Sequence, residues 1–277
     1  MKRKNTDFIF SVIKYILVYV GVVIILIPII NILLCGFKTT GEVNRVLSMP
    51  SRLYFGNYVK VLGNPYAVVS FINSIIITLA TLLLNIILCS LAAYPLSRRK
   101  ERIFGLIYVF FLSAMMIPAV ANLSTLYSII LNLGLKDTRT ALALIYSSLQ
   151  IPFGILFYTG FIKTIPRELD EAAIIDGCSY FRRFLKVIFP LLKPVTVAYA
   201  VISSITVWND FLMPLLFISS PEKRPITLEV YSFVSEHIAD FGAIYAMLTI
   251  AIIPPVVFFL LTQKHFQKGI MIGAVKA

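Results

Sequence analysis

Charge is scarce in this chain. Only 14% of its 277 residues are Asp, Glu, Lys or Arg, where a soluble domain carries roughly 25%. With 59% hydrophobic residues and a mean hydropathy of +0.90, a soluble globular domain is excluded. The three cysteines, Cys35, Cys89 and Cys178, stand far apart, two in apolar runs and one in a basic loop. Their odd number and a reducing compartment argue against a disulfide framework, and no spacing among them suits zinc. They read as packing residues. The two histidines, His237 and His265, are expected on opposite sides of a membrane and so cannot share a site. There is no Gly-rich loop ending in Lys-Ser or Lys-Thr, so the chain is not expected to hydrolyse ATP itself. No nucleophile–base set, metal cluster, internal repeat or low-complexity segment stands out. No cofactor is expected in this chain, and it is not expected to be an enzyme.

What is present is a series of apolar runs, each long enough to cross a ~30 Å hydrocarbon core. Six are predicted: Val12 to Phe37, Val68 to Tyr94, Ile103 to Leu123, Ala141 to Phe161, Val195 to Ser219 and Ala243 to Gln263. The first follows Lys2-Arg3-Lys4 but is too long for a signal peptide and lacks a small-residue cleavage site, so it reads as an uncleaved anchor. With six spans and both termini on one side, that side holds 17 of the 25 basic residues. The positive-inside rule then puts both termini in the cytoplasm, together with the loop between the fourth and fifth spans. The net charge of +12 is thereby a topological signal. A nucleic-acid partner is not expected, because the basic residues are dispersed among short loops without an aromatic platform beside them. Pro118 should end or kink the third span, and Ser124 to Asp137 reads as an interfacial stretch closed by Gly134. The outer loop Lys38 to Ala67, with its glycines and prolines, is expected to be irregular with short helical pieces.

The loop between the fourth and fifth spans is unusual. Glu168-Leu169-Asp170-Glu171-Ala172-Ala173-Ile174-Ile175-Asp176-Gly177 reads as a short helix with both ends specified. Pro166 suits a first helical position, and Glu168, Asp170 and Glu171 put negative charge where the helix dipole favours it. Gly177 suits the left-handed residue just past the end. Leu169, Ala172 and Ala173 are expected to share one small-residue face against which another surface docks.

The spacing Glu171-Ala172-Ala173, three residues, Gly177, nine residues, then Val187-Ile188-Phe189-Pro190 resembles the EAA loop of permease subunits of ATP-driven importers, and the chain looks like the carbohydrate branch of that family. Val187 and Phe189 stand where Ile and Leu are usual, and both remain apolar. Further matches are Asn73-Ser74, the block Ala92-Ala93-Tyr94-Pro95-Leu96-Ser97-Arg98, Met115 to Pro118, Leu133-Gly134-Leu135, Pro152-Phe153, Trp208-Asn209-Asp210 and the tail Gly273-Ala274-Val275-Lys276. Their order covers nearly the whole chain.

The resemblance implies an all-α membrane protein with six transmembrane helices and a cytoplasmic coupling helix between the fourth and fifth, the type I ABC importer permease fold. In that reading, residues 1–67 are an anchor helix and outer loop, 68–265 the permease core, and 266–277 a cytoplasmic tail. The chain would lie in a bacterial plasma (inner) membrane. Its partners would be a second homologous permease, two cytoplasmic ATP-binding subunits that use the ATP, and an external sugar-binding protein. Glu171, Ala172, Ala173, Asp176, Gly177 and Pro190 would carry ATPase coupling, the alternative for Glu171 being an ordinary solvated acid. Trp208, Asn209 and Asp210 are candidate substrate-path residues. An aromatic face and two hydrogen-bonding side chains suit a sugar, but packing of Trp208 and structural capping by Asp210 remain alternatives. Asn73 and Asn85 read as helix–helix hydrogen-bonding residues. Rival functions are an ion-coupled secondary transporter, for which Asp210 alone is a coupling candidate, an importer of a non-sugar solute, and a membrane-embedded enzyme without a catalytic constellation.

Overall fold

Hydrocarbon offers the backbone no hydrogen-bond partner, so an apolar chain that spans it must satisfy its peptide groups within helices or a closed barrel. The computed structural model describes the backbone of residues 2–45, 47–236 and 240–274, and the side chains of 11–45, 47–234 and 240–264. Among the described residues there are thirteen α-helices and no strand. They are α1 (Lys2–Gly36), α2 (Gly56–Gly63), α3 (Pro65–Arg98), α4 (Arg102–Ala114), α5 (Leu123–Asn132), α6 (Arg139–Ile162) and α7 (Glu168–Ile175). After these come α8 (Tyr180–Arg183), α9 (Phe189–Leu191), α10 (Lys193–Asn209), α11 (Leu212–Phe217), α12 (Ile226–Glu236) and α13 (Phe241–Ala274).

Four stretches are long and apolar enough to cross a membrane: Ser11–Gly36 of α1, α3, α6 and Phe241–Lys264 of α13. The other two expected spans are bent. The third is α4 followed by a 3₁₀ turn (Ala119–Asn122) and α5, with a bend of 91°. Alone, α4 rises only about 20 Å, too little for a ~30 Å core. Pro118 accounts for the break, since it supplies no N–H and pushes the residue before it out of the helical region. The fifth expected run, Val195 to Ser219, is not one helix. It consists of α10, which ends at Asn209, and the separate α11, while Tyr180–Leu191 precedes α10 at 71°. Six spans result when each bent pair counts as one. The expected tail is helical as far as Ala274. Val275 and Lys276, His237 and the side chain of His265 lie outside the described residues.

The chain divides into two units, Met1–Val68 with Val230–Ile252, and Val69–Glu229 with Ile253–Ala277. In the first, Tyr15, Leu17, Tyr19, Ile24 and Ile25 of α1 are largely exposed, the surface of a helix solvated by hydrocarbon. The stretch from Lys38 to Ala67 contains α2, a short helical piece of the kind expected there, and buried hydrogen bonds order it. The Asn57 amide donates to the carbonyls of Gly36 and Lys38, and the buried Lys38 donates through Nζ to Arg45 O at 2.6 Å.

The second unit packs α3, α6 and α10 around two apolar cores. One gathers Cys89, Ala93, Tyr94, Tyr158, Ile162, Phe184, Ile188 and Tyr199 near the C-terminal end of α3. The other gathers Ile77, Leu142, Ile145, Tyr146, Val207 and Phe217 nearer its start. Gly154 sets how closely α6 approaches: a β-carbon there would lie 2.5 Å from Cys89 Sγ and 3.3 Å from Tyr199 Cε2. Small residues at such crossings let membrane helices touch. All three cysteines are free, and Cys35 and Cys89 are buried packing residues.

Candidate functional site

Helix α7 has the acidic first turn and the C-terminal end its sequence specifies, but it starts at Glu168 after the N-cap Arg167, so Pro166 lies outside the helix and not at its first position. Glu168, Asp170 and Glu171 occupy its first turn. At the other end Gly177 has φ +74°, Cys178 N–H donates to Ala173 O, and Gly177 N–H donates to Ile174 O. That pair of bonds is a Schellman closure. Nothing lies within 4 Å of a β-carbon built on Gly177, so its backbone conformation alone demands glycine.

The face expected to dock differs by one residue. Leu169 and Ala172 are exposed, but Ala173 is buried at 5% exposure and points into the bundle. The apolar part of the outer face comes instead from Ile174 and Ile175, the latter 86% exposed. Glu171, Asp176 and Gly177 are also exposed. Pro190 lies in α9, an exposed residue beyond a single π-helical turn, Phe184–Ile188. It belongs to the connection into α10 and is no part of the surface of α7.

Inward from α7, one carboxylate gathers three elements. Asp170 is 8% exposed. It accepts from the Tyr94 hydroxyl at 2.5 Å and lies 3.4 Å from Arg183 Nε. Arg98 Nε stands 2.8 Å from the other carboxylate oxygen, an ion contact outside hydrogen-bond alignment. Arg98 also donates to Ile165 O at 3.1 Å, and Arg183 donates to the Tyr94 hydroxyl at 2.7 Å. The Arg99 and Arg183 guanidinium groups lie 5.6 and 5.2 Å from the Tyr180 ring, itself packed on Tyr94. These residues, with Arg167 and Glu171, line a cleft of about 250 Å³. Sequence reasoning used Asp170 only as first-turn charge. The available signal was its three-residue offset from Ala173, which puts both on one helix face.

Trp208, Asn209 and Asp210 do not converge. Trp208 is buried against Phe71 and lines an apolar cavity of about 120 Å³ with Thr78, Leu82, Ser204, Pro254 and Phe258. Asn209 is exposed outside that cavity. Asp210 closes the break between α10 and α11: its carboxylate accepts from Tyr146 Oη at 2.8 Å and from Met213 N–H at 3.0 Å, and its carbonyl accepts from Thr227 Oγ1. Those bonds are what a structural cap makes. Asn73 donates not to another apolar span but to the carbonyls of Glu222 and Arg224 at the 3₁₀ turn Pro221–Lys223, and both polar atoms of Asn85 are buried outside hydrogen-bond geometry.

A second carboxylate outside the spans holds a turn. Asp137, at φ +59°, accepts from the backbone N–H groups of Ser219 and Ser220, the Ser220 hydroxyl and Lys223 Nζ. Desolvation pushes against ionisation there, but the Ser220, Ser219 and Lys223 donors outweigh it and hold the carboxyl well below the usual carboxylate range. Among the described residues no group of three or more His, Cys, Asp or Glu side chains is placed to hold a metal.

Residues 85–272 match the family described as Binding-protein-dependent transport system inner membrane component. The chain is 37% identical over 269 residues to the probable starch degradation products transport system permease protein AmyC of Thermoanaerobacterium thermosulfurigenes, covering 95% of this chain and 97% of that one. It is 34% identical to the melibiose/raffinose/stachyose import permease protein MelC of Bacillus subtilis (strain 168), covering 90% and 91%. A chain of a bacterial ABC transporter involved in import of the acidic polysaccharide alginate superposes with a TM-score of 0.82 at 24% identity, over 94% of this chain and 98% of that one. A second, at 0.67 and 14% identity over 95% and 96%, comes from an alginate transporter in complex with an alginate pentasaccharide-bound periplasmic protein. Both show a shared fold.

Proposed function

Because the chain belongs to the family of binding-protein-dependent transport system inner membrane components, we propose that it is one permease subunit of an ATP-driven importer whose cargo is an oligosaccharide. It is a membrane transport component and not an enzyme. The observation that carries the sugar reading is similarity over nearly the full length to permeases named for starch products and for melibiose, raffinose and stachyose.

Hydrolysis of ATP belongs to two separate cytoplasmic subunits, and the chain itself needs no cofactor. A second permease of similar core completes the membrane pair, and an external binding protein delivers the sugar and sets much of the selectivity. The alginate transporter's complex with a periplasmic protein supports that last partner. The bias of basic residues supports a cytoplasmic position for both termini and α7. There the exposed Glu171, Ile174 and Ile175 present charge and apolar area to an ATPase. Closure of the ATPases on ATP would move α7 and switch the permease pair from an inward-facing to an outward-facing state. ATP does this only by binding the two conformations with different affinity. Residues 1–67 serve as anchor and outer loop, 68–265 as permease core and 266–277 as tail. Trp208 is the best-placed of the three substrate-path residues, while the bonds of Asp210 favour the structural alternative.

Uptake of labelled melibiose, raffinose and maltooligosaccharides into liposomes holding the complete transporter tests the reading. Vanadate should stop uptake and an ionophore should not; the reverse pattern would establish the ion-coupled alternative. Orientation is tested in intact cells on a Cys178→Ser background. An impermeant thiol reagent should reach Ser51→Cys and miss Ser179→Cys, and labelling at 179 would overturn the orientation.

A further inference from the structure

Adjacent residues on α7 face different ways. Successive helical residues are about 100° apart, so Glu171 points outward while Asp170 turns back into its own subunit. We propose that Asp170 is a positioning residue that fastens α7 to the end of α3, so that displacement of the docking helix becomes displacement of a membrane span. The inference rests on the permease reading and adds to it a mechanical link within this chain.

Without that link α7 has slender attachments. It leaves α6 through the turn Lys163 to Arg167 and enters α8 through Gly177 to Ser179, with Ala173 as its one buried apolar residue. A helix held by two turns would pivot when pulled. The Asp170 cluster opposes pivoting from three directions. Tyr94 and Arg98 bring the last two turns of α3, Arg183 brings α8, and the Arg98 bond to Ile165 O reaches the turn preceding α7. The side chains of Asp170, Arg98 and Arg183 are only 10–12% exposed. Charges that deep are screened little and are not readily replaced by water. Tyr94 also sits in the apolar core shared by α3, α6 and α10, so force reaching its hydroxyl is delivered to packed helices.

The test is the ratio of sugar taken up to ATP hydrolysed by the complete transporter in liposomes, read beside co-purification of the ATPase. Asp170→Asn keeps the size of the side chain and removes its charge. It should leave the ATPase bound and hydrolysing while uptake per ATP falls at least tenfold. Arg98→Lys, which keeps the charge, should retain most of the wild-type ratio, and Arg98→Gln should lose it. Tyr94→Phe removes one hydroxyl and should lower the ratio severalfold with assembly unchanged. A wild-type ratio in Asp170→Asn overturns the proposal. If Asp170→Asn does not assemble, Tyr94→Phe decides: an unchanged ratio there reduces the cluster to a structural ornament. ATP-independent uptake by the wild type would instead defeat the permease reading itself, before any variant is compared.

Discussion

Helix α3 is fastened at both ends, by different chemistry. Near its start, Asn73 and Ser74 bond to backbone: the Asn73 amide donates to the carbonyls of Glu222 and Arg224, and the Ser74 hydroxyl accepts from Ile226 N–H. At its far end, Tyr94 and Arg98 meet a carboxylate and a second arginine. Neutral bonds to backbone hold a loop in register and release little when broken. A charged cluster resists more, because removing one member leaves the others uncompensated in a poor solvent for charge. The loop after α11 needs register; a helix that is to transmit force needs stiffness.

Truncation of Asp170 breaks this comparison most sharply. Asp170→Ala strands Arg98 and Arg183, at a cost of about 3–5 kcal/mol. The thermal midpoint of the purified complex should fall further than for any change at the other end. Asn73→Ala removes two neutral bonds and leaves two carbonyls underused, about 1–3 kcal/mol. Equal losses in a parallel thermal scan would erase the distinction between the ends.

Gly177→Val comes next. With open space around the β-carbon its cost is that of the positive φ alone, about 1–2 kcal/mol. The permease should still insert, but with α7 mis-seated it should lose both sugar uptake and the co-purifying ATPase. Gly177→Asn, which tolerates that conformation, should retain more of each. Full transport in the valine variant would remove α7 from the coupling path.

Smaller effects are expected where the carboxylates hold turns. Asp210→Asn keeps an acceptor for Tyr146 and Met213. Uptake should change by the same modest factor for every sugar; a factor that depends on the sugar would return Asp210 to the substrate path. Asp137→Asn tests the last latch through pH. The carboxyl of Asp137 is held low in the folded protein, so its contribution is complete above its unfolded value, about 3.9. It is lost only as pH falls through the lower folded value. The difference in midpoint between wild type and Asp137→Asn should therefore stay flat from pH 8 to about pH 5 and shrink only in stronger acid. A difference that vanishes near neutrality would contradict that assignment.

Particular residues mark how far the sequence could be read. Gly177 was legible because a left-handed residue after a helix has few solutions, and Pro118 because a proline removes a helical N–H and can break the ladder, although Pro28, Pro95, Pro152, Pro254 and Pro255 are carried inside helices. Asp210 was legible as an expensive group inside an apolar run but not in its use, since its partners Tyr146 and Thr227 lie 64 and 17 residues away. The exposed face expected on α7 was placed one residue off. Burial of Ala173 depends on which way Asp170 is drawn, and that is settled by Tyr94 and Arg98 of another helix.

The sequence by itself determined the membrane class, the number of apolar runs, the orientation signal, and the acidic first turn and glycine closure of α7. Each depends on composition or on residues within a turn or two of one another. Tertiary structure alone decided that the fifth run breaks at Asp210, that Asp170 rather than Glu171 turns inward, and that Trp208, Asn209 and Asp210 part company. Those outcomes rest on contacts between helices distant in the chain, where one carboxylate goes to whichever donors the packing brings within about 3 Å.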